Sequence, residues 1–356
     1  MAKIDLTQFT PPAGEIEKLG NLIFLDIIRD GQINEIFTFL LGQKNGGSVG
    51  LITGMGQIGR TSQGCGGEYD EHGIGGIEQK WDINEWEIKE ALCYDKLIGT
   101  IADYALRKGI NIGDLTTTEY MSLVVEPVVK KAIENLVLRL ALFGNKTITS
   151  NELKGDIEVE NMNTVDGVWK RIFDGVADGS ISRTVIEANS KTSIALQKQA
   201  IRTDGVATKI IDDMIADAPI KLQQKEQKLI ITKALWDAWK ADVRRNNKGS
   251  EGQWESLFAG VRKGEIDGIT TYVVPFMDEI ITGYLKNTTN ADAYDNPYRA
   301  ILTAKDENLL LGTTNTKENF DELDTWFDKK DDKTYIKAKD TLGAMILSND
   351  LIHVAF

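Results

Sequence analysis

The sequence predicts an α+β fold, and three features point to it. Residues 117–143, "TTEYMSLVVEPVVKKAIENLVLRLALF", read as one long and strongly apolar helix. Short aliphatic runs, "KLIITK", "GITTYVVPF" and "NLLLGTT", read as buried strands set among amphipathic helical stretches. Between them and the N-terminus, residues 46–76 are rich in glycine and have no helical period, which suits a hairpin rather than a helix.

Taken in order, residues 1–45 open with Pro11-Pro12 in an extended arm, followed by two apolar pieces, "IEKLGNLIFLDIIRD" and "INEIFTFLLG". After the glycine-rich stretch a strand begins at Ile77. Ile77, Trp81 and Ile83 share one face, and Glu78, Lys80 and Asp82 share the other. Trp86 and Ile88 then fall on the opposite parity, so a bulge or sharp twist is expected near Asn84-Glu85. The long helix has a capping box, Thr116 with Glu119, and a stop at Gly144-Asn145. It spans about 40 Å at 1.5 Å per residue, and Pro127 is expected to bend it. Its apolar residues cover much of the circumference, so it packs on more than one side.

A short helix follows in "TVDGVWKRIFDGV", and a longer one in "DGVATKIIDDMIADAP", capped by Asp204 and stopped before Pro219. "ALWDAWKADVRRN" reads as a helix with Leu235, Trp236 and Trp239 inward. The closing "DDKTYIKAKDTLGAMILSNDLIHVAF" reads as two sheet strands around a turn at Ser348-Asn349-Asp350, with the apolar chain end packed in a sheet.

Composition narrows the function classes. The 356 residues are 42% hydrophobic and 27% charged, with no apolar run long enough to span a membrane. The start, Met1-Ala2-Lys3-Ile4-Asp5, lacks a signal-peptide pattern. Cys65 and Cys93 stand in no metal or redox spacing, which suits a reducing compartment. A net charge of −13 argues against tight, sequence-independent gripping of nucleic acid. The one basic cluster, "KADVRRNNKGS", sits at a helix end, where it complements the dipole.

Gly54, Gly56 and Gly59 spell G-x-G-x-x-G after Val49, Leu51 and Ile52, the pattern of a dinucleotide-binding turn. That turn needs a helix starting at the motif, so that free amides meet the pyrophosphate. Six more glycines follow by Gly76, each costing a helix about 1 kcal/mol relative to alanine. The acid expected about 20 residues on would be Glu78, inside a strand rather than at its tip. An oxidoreductase on these glycines is therefore the weaker alternative, and a flexible hairpin the stronger. His72 and His353, the only histidines, are expected at the surface or a sheet edge without catalytic partners. No calcium-loop spacing occurs. The reading is of a non-enzyme with no cofactor, no metal and no catalytic residue.

In element order the chain resembles the major capsid proteins of tailed bacteriophages, the Hong Kong 97-type fold, which encapsulin shells also use. The resemblance rests on three places. "VGLITGMGQIGRTSQGC" returning through "IEQKWDINEWEIKEALCY" is similar to the family's extended loop. "TTTEYMSLVVEPVVKKAIENLVLRLALFGN" looks like its spine helix, in the form found in phages of Bacteroidetes hosts. "LDTWFDKKDDKTYIKAKDTLGAMILSNDLIHVAF" is similar to the final strands.

The resemblance implies an N-terminal arm over 1–45 and an extended loop over 46–95. It implies a peripheral domain over 96–200, an axial domain over 201–312, and C-terminal strands over 313–356 returning to the peripheral domain. It further implies hexameric and pentameric capsomers in an icosahedral virion shell around double-stranded DNA, assembled in the host cytoplasm with a portal and auxiliary or scaffolding proteins. An encapsulin-like compartment holding protein cargo is the alternative of the same fold. Expected assembly residues are Gly54, Gly56, Gly59, Arg60, Trp81 and Trp86 on the loop. Tyr120, Val124, Val128 and Leu136 are expected on the spine helix.

Overall fold

The strands sort into two sheets and one separate hairpin in the computed structural model. It describes residues 13–29, 32–54, 75–93, 126–245, 255–257, 261–328, 330–331 and 333–356. From Ala13 the chain is helical: α1 (Ala13–Phe24) runs through a π-helical turn (Leu25–Arg29), and α2 (Gln32–Ile36) leads into β1 (Thr38–Leu40). Leu19, Ile23, Phe24 and Ile27 recur at helical spacing and are buried, so this segment belongs to the core. β2 (Ser48–Gly54) and β3 (Gly75–Lys80) pair antiparallel, from Ser48 opposite Lys80 to Gly54 opposite Gly75.

At Trp81 the chain leaves this hairpin, and β4 (Asn84–Cys93) starts in a different sheet. The parity change near Asn84 is therefore a strand break, not a bulge. Each half obeys its own sheet, and the three residues between need not keep either phase.

The described part of the long helix is α3 (Glu126–Phe143), with Pro127 in its first turn; residues 117–125, where the sequence starts the helix, lie outside the described residues. Val129, Ile133, Val137 and Leu140 line its inner face, and Leu138, Ala141 and Leu142 widen that face near its end. It stops at Gly144, whose amide donates to the Leu140 carbonyl (3.0 Å). Gly144 and Gly167 let this end meet α4 (Val168–Ala177) backbone to backbone. A Cβ on Gly144 would lie 2.4 Å from the Val165 oxygen, and one on Gly167 2.6 Å from the Leu140 oxygen.

Beyond α4 come β5 (Ser182–Thr184), α5 (Ile194–Ile201), α6 (Val206–Ala216), α7 (Ile220–Gln223) and β6 (Gln227–Ile231). Then follow α8 (Lys233–Arg245), β7 (Glu255–Leu257), β8 (Val261–Ile266), β9 (Ile269–Val273), α9 (Pro275–Gly283) and β10 (Ala300–Ala304). α6 is not capped by Asp204. Its N-cap is Gly205 in the left-handed region (φ 76°), and the Ala207 and Thr208 amides donate to Asp242 Oδ2 of α8 (2.9 and 3.3 Å). A buried carboxylate on a neighbouring helix serves the free amides here.

The chain closes through β11 (Leu309–Gly312), β12 (Glu322–Asp328), β13 (Lys333–Ile346) and β14 (Ile352–Ala355). One sheet is five-stranded, ordered β1-β11-β13-β12 with β4 also on β13. The other is seven-stranded, ordered β5-β14-β10-β6-β9-β8-β7. The two closing strands flank the expected turn but join different sheets.

Both faces of the seven-stranded sheet are covered near its centre. Leu229, Ile231, Ala300 and Leu302 face the α6–α8 layer with Ile211, Met214, Leu235 and Trp236. Ile230, Tyr272 and Ile301 face the larger core built with α3, α4 and α9. Burial on both sides is why "KLIITK" reads as an apolar run without alternation.

Candidate assembly surfaces

The β2–β3 pair is a two-stranded sheet whose strands pair only with each other among the described residues. Such a ribbon is marginal in water and needs a surface to lie on. Its root is fixed by backbone bonds: Gly46 N–H donates to the Trp81 carbonyl (2.8 Å), and Trp81 N–H to the Gly47 carbonyl (2.9 Å). Ile83 N–H donates to Asn45 Oδ1 (3.1 Å). Asp82 completes the joint, accepting from Lys146 Nζ at 2.5 and 2.7 Å. Hydrogen bonds from Lys146 and Asn84 hold the Asp82 carboxyl below the usual range, although partial burial opposes them.

Two of the expected contact residues turn out to be internal. Trp81 packs with Ile83, Leu310, Met345 and Leu347, against Gly312, where a Cβ would stand 2.9 Å from the indole. Trp86 lies in the main core, edge-on to Phe320 at 6.1 Å. The notion that these indoles await a neighbouring subunit is thus corrected: the chain buries both itself, and they anchor the hairpin root and β4.

Gly54 closes the described hairpin opposite Gly75, across a register shift. Gly56, Gly59, Arg60, Tyr120 and Val124 lie outside the described residues. The backbone of Val128 is in α3. Leu136 is half-buried and lines an open groove of about 700 Å³ between α3 and β4. Arg139 also lines this groove, its Nε donating to the Asn161 carbonyl (3.1 Å), and desolvation lowers its pKa.

Residue periodicity did not single out a second open surface. Across β4, β13 and β12 one face carries Trp326 and Tyr335, stacked at 5.4 Å, above alternating charges. There Lys337 meets Glu322 (2.5 Å) and Lys339 meets Glu85 (2.8 Å). Trp326 is 38% exposed, and the "TWFDKKDDKTY" pattern could have marked this face.

The described residues bring together no group of three or more His, Cys, Asp or Glu fit to hold a metal ion. No described helix is long and apolar enough to cross a membrane. β2 pairs antiparallel with β3, whereas a dinucleotide turn follows a strand of a parallel sheet. His353 is not at the surface, as expected, but 2% exposed in β14. Its Nδ1 meets Ser182 Oγ (2.6 Å) and its Nε2 meets Thr184 Oγ1 (2.9 Å), so both ring nitrogens are engaged. Burial lowers its pKa and keeps the ring neutral near pH 7.

No protein-family model matches the chain, and no curated protein matches it. Among solved structures it is similar to a chain of the satellite phage P4 procapsid that includes the size determination (Sid) protein. The TM-score is 0.53 at 11% identity, covering 97% of this chain and 90% of that one. Lower similarity extends to the capsid of an empty GTA particle (TM-score 0.46, 8% identity, 92% and 88% covered). It extends also to the capsid of cyanophage P-SCSP1u (0.44, 9%, 91% and 86%). The chain is a mixed α+β protein that shares its fold with a chain of a phage procapsid.

Proposed function

We propose that this protein is a major capsid protein, of the kind found in tailed phages of Bacteroidetes hosts. Many copies form hexameric and pentameric capsomers of an icosahedral virion shell around double-stranded DNA, assembled in the host cytoplasm with a portal and auxiliary or scaffolding proteins. The observation that carries this reading is the extent of the fold likeness: 97% of the chain follows one procapsid chain, at a TM-score of 0.53. The rest of the molecule is consistent with a structural role. Among the described residues the β2–β3 ribbon has no strand partner beyond itself, and a charged, aromatic face of the five-stranded sheet stands open. A net charge of −13 suits a wall that encloses DNA without adhering to it.

In this reading Gly54, Gly56, Gly59 and Arg60 belong to the arm that reaches a neighbour, and Tyr120, Val124, Val128 and Leu136 to the helix beneath it. Trp81 and Trp86 act from inside, setting the direction in which the arm leaves the body. Negative-stain microscopy of the expressed protein, with nucleic-acid and protein analysis of the particles, tests the proposal. Shells, rings or hexameric sheets are expected. A monodisperse monomer or dimer at high concentration overturns it, and shells filled with a protein cargo overturn the DNA-enclosing part.

A further inference from the structure

A pocket of about 440 Å³ opens between the end of α5 and one side of α8. In the sequence, the basic run that ends α8 reads only as a partner for that helix's dipole. The fold adds two cations from a distant segment: Lys198 of α5 and Arg202, its C-cap, line the same pocket as Arg245. Between them the lining is short and apolar, with Ile201 facing Ala234, Ala238 and Ala241, which recur on one side of α8. Tyr298 completes it, 4% exposed, its backbone held on both sides by the Asn189 side chain (2.8 and 3.1 Å).

The charges here are unevenly matched. Asp237, the one acid in the lining, is paired with Lys233, and Arg245 donates to Asp242 (2.6 Å) and to the Arg202 carbonyl (3.0 Å). Lys198 and Arg202 are exposed, and their side chains make no hydrogen bond or ion pair among the described residues. Four cations against two carboxylates leave a local excess of two positive charges, in a chain whose net charge is −13. The Tyr298 hydroxyl makes no hydrogen bond among the described residues either. Burial pushes its pKa up to about 12, against the pull of the Arg202 charge, so it keeps its proton. Every unpaired polar side chain of the lining can therefore donate, and none is an anion.

We propose that this pocket contacts the phosphate backbone of a nucleic-acid strand, with Lys198 and Arg202 on neighbouring phosphates. The two cations stand one helical turn apart, about 6 Å, so they can take successive charges along one strand. The short side chains of the lining let a sugar–phosphate chain approach closely. At 0.1 M salt, charges more than about 10 Å away are largely screened, so the local excess rather than the net charge governs the contact. One such contact per copy is weak, which agrees with a wall that as a whole does not adhere to DNA. The choice of a nucleic-acid strand over an acidic peptide rests on the shell reading, which sets DNA against this protein.

Fluorescence anisotropy of a labelled oligothymidylate, titrated with the purified, unassembled chain at low salt, is the test. Weak binding that falls as salt rises is expected. Lys198→Ala and Arg202→Ala should each weaken it about threefold and flatten the salt slope by ~0.7, the share of one single-strand phosphate contact. Lys198→Glu with Arg202→Glu should abolish it, and both positions are exposed, so circular dichroism should show the fold kept. Lys337→Ala, on the open face of the five-stranded sheet, should bind like wild type. Absent binding, an equal loss in Lys337→Ala, or competition by oligoglutamate as effective as by unlabelled oligothymidylate overturns the proposal. Shells without strand binding overturn the pocket alone, and strand binding without shells overturns the shell reading alone.

Discussion

The two halves of β13 have the same backbone geometry and very different surroundings. From Lys333 to Lys339 its side chains alternate between half-buried and buried; from Asp340 to Ile346 every one is buried. The first half runs between β4 and β12, with Ile336 and Ala338 in the main core and Tyr335, Lys337 and Lys339 on the open face. The second half runs beside β11. Leu342, Ala344 and Ile346 enter the main core, and Met345 faces the opposite cluster with Trp81 and Ile83. What closes the second face is therefore the root of the hairpin, packed so tightly that a Cβ on Gly343 would lie 2.8 Å from Ile83. Alternation in a strand reports one covered face, and loss of alternation reports a second cover.

The largest expected effect lies where the halves meet. Asp340 is 3% exposed, accepts from Thr341 N (2.7 Å) and Thr313 Oγ1 (3.1 Å), and is pushed up to about 7 by burial. The folded protein thus keeps this proton up to about pH 7, while the unfolded chain releases it near 3.8. Between those values the native state binds more protons, so stability falls as pH rises, by at most ~4 kcal/mol from this group. Urea denaturation should show wild type losing stability from pH 5 to 8, and Asp340→Asn losing much less. The remainder belongs to groups such as Asp278, raised to about 6 by burial although it accepts from the Lys233 and Ala234 amides. Equal pH slopes in both proteins would mean that the junction is solvated and the contrast between the halves smaller than it looks.

Next in size is Leu342→Ala, in the doubly covered half. The side chain is 2% exposed, and its loss should cost ~3 kcal/mol of unfolding free energy. Lys337→Ala, on the open half, breaks only the partly exposed pair with Glu322 and should cost under ~1 kcal/mol. Comparable losses for the two would erase the distinction.

Local features of the fold were legible where they depend on neighbours in sequence. The end of α3 at Gly144, the buried strands β6 and β9, and the inward Leu235 and Trp236 all follow from period and capping. What failed depends on distant partners. Periodicity shows that the phase breaks near Asn84-Glu85, but not that β3 and β4 belong to different sheets, because the partner of β4 is β13. Asp204 stood in the right place for a cap, yet Asp242 takes the α6 amides from another helix. His353 read as a surface residue because Ser182 and Thr184, which enclose its ring, lie far back in the chain. The same holds for the surfaces. The helix pattern puts Leu136 on α3 but does not show the groove it lines with β4, and the interior burial of Trp86 depends on Phe320.

Trp326→Ala gives the smallest effect on the isolated chain and the most direct test of the open half. Trp326 touches Tyr335 across β12 and β13 in a stacked pair, and Tyr335 donates its hydroxyl to Asp331 (3.0 Å). The indole keeps more than a third of its surface in water and belongs to none of the buried clusters, so removing it should cost less than Leu342→Ala, ~1 kcal/mol or less. In the shell reading a neighbour's surface would cover aromatic area on this face. The variant should therefore unfold almost like wild type in urea while a smaller fraction sediments as assembled particles. A loss of monomer stability comparable to Leu342→Ala would instead place this indole in a second core, and the two halves of β13 would no longer differ in kind.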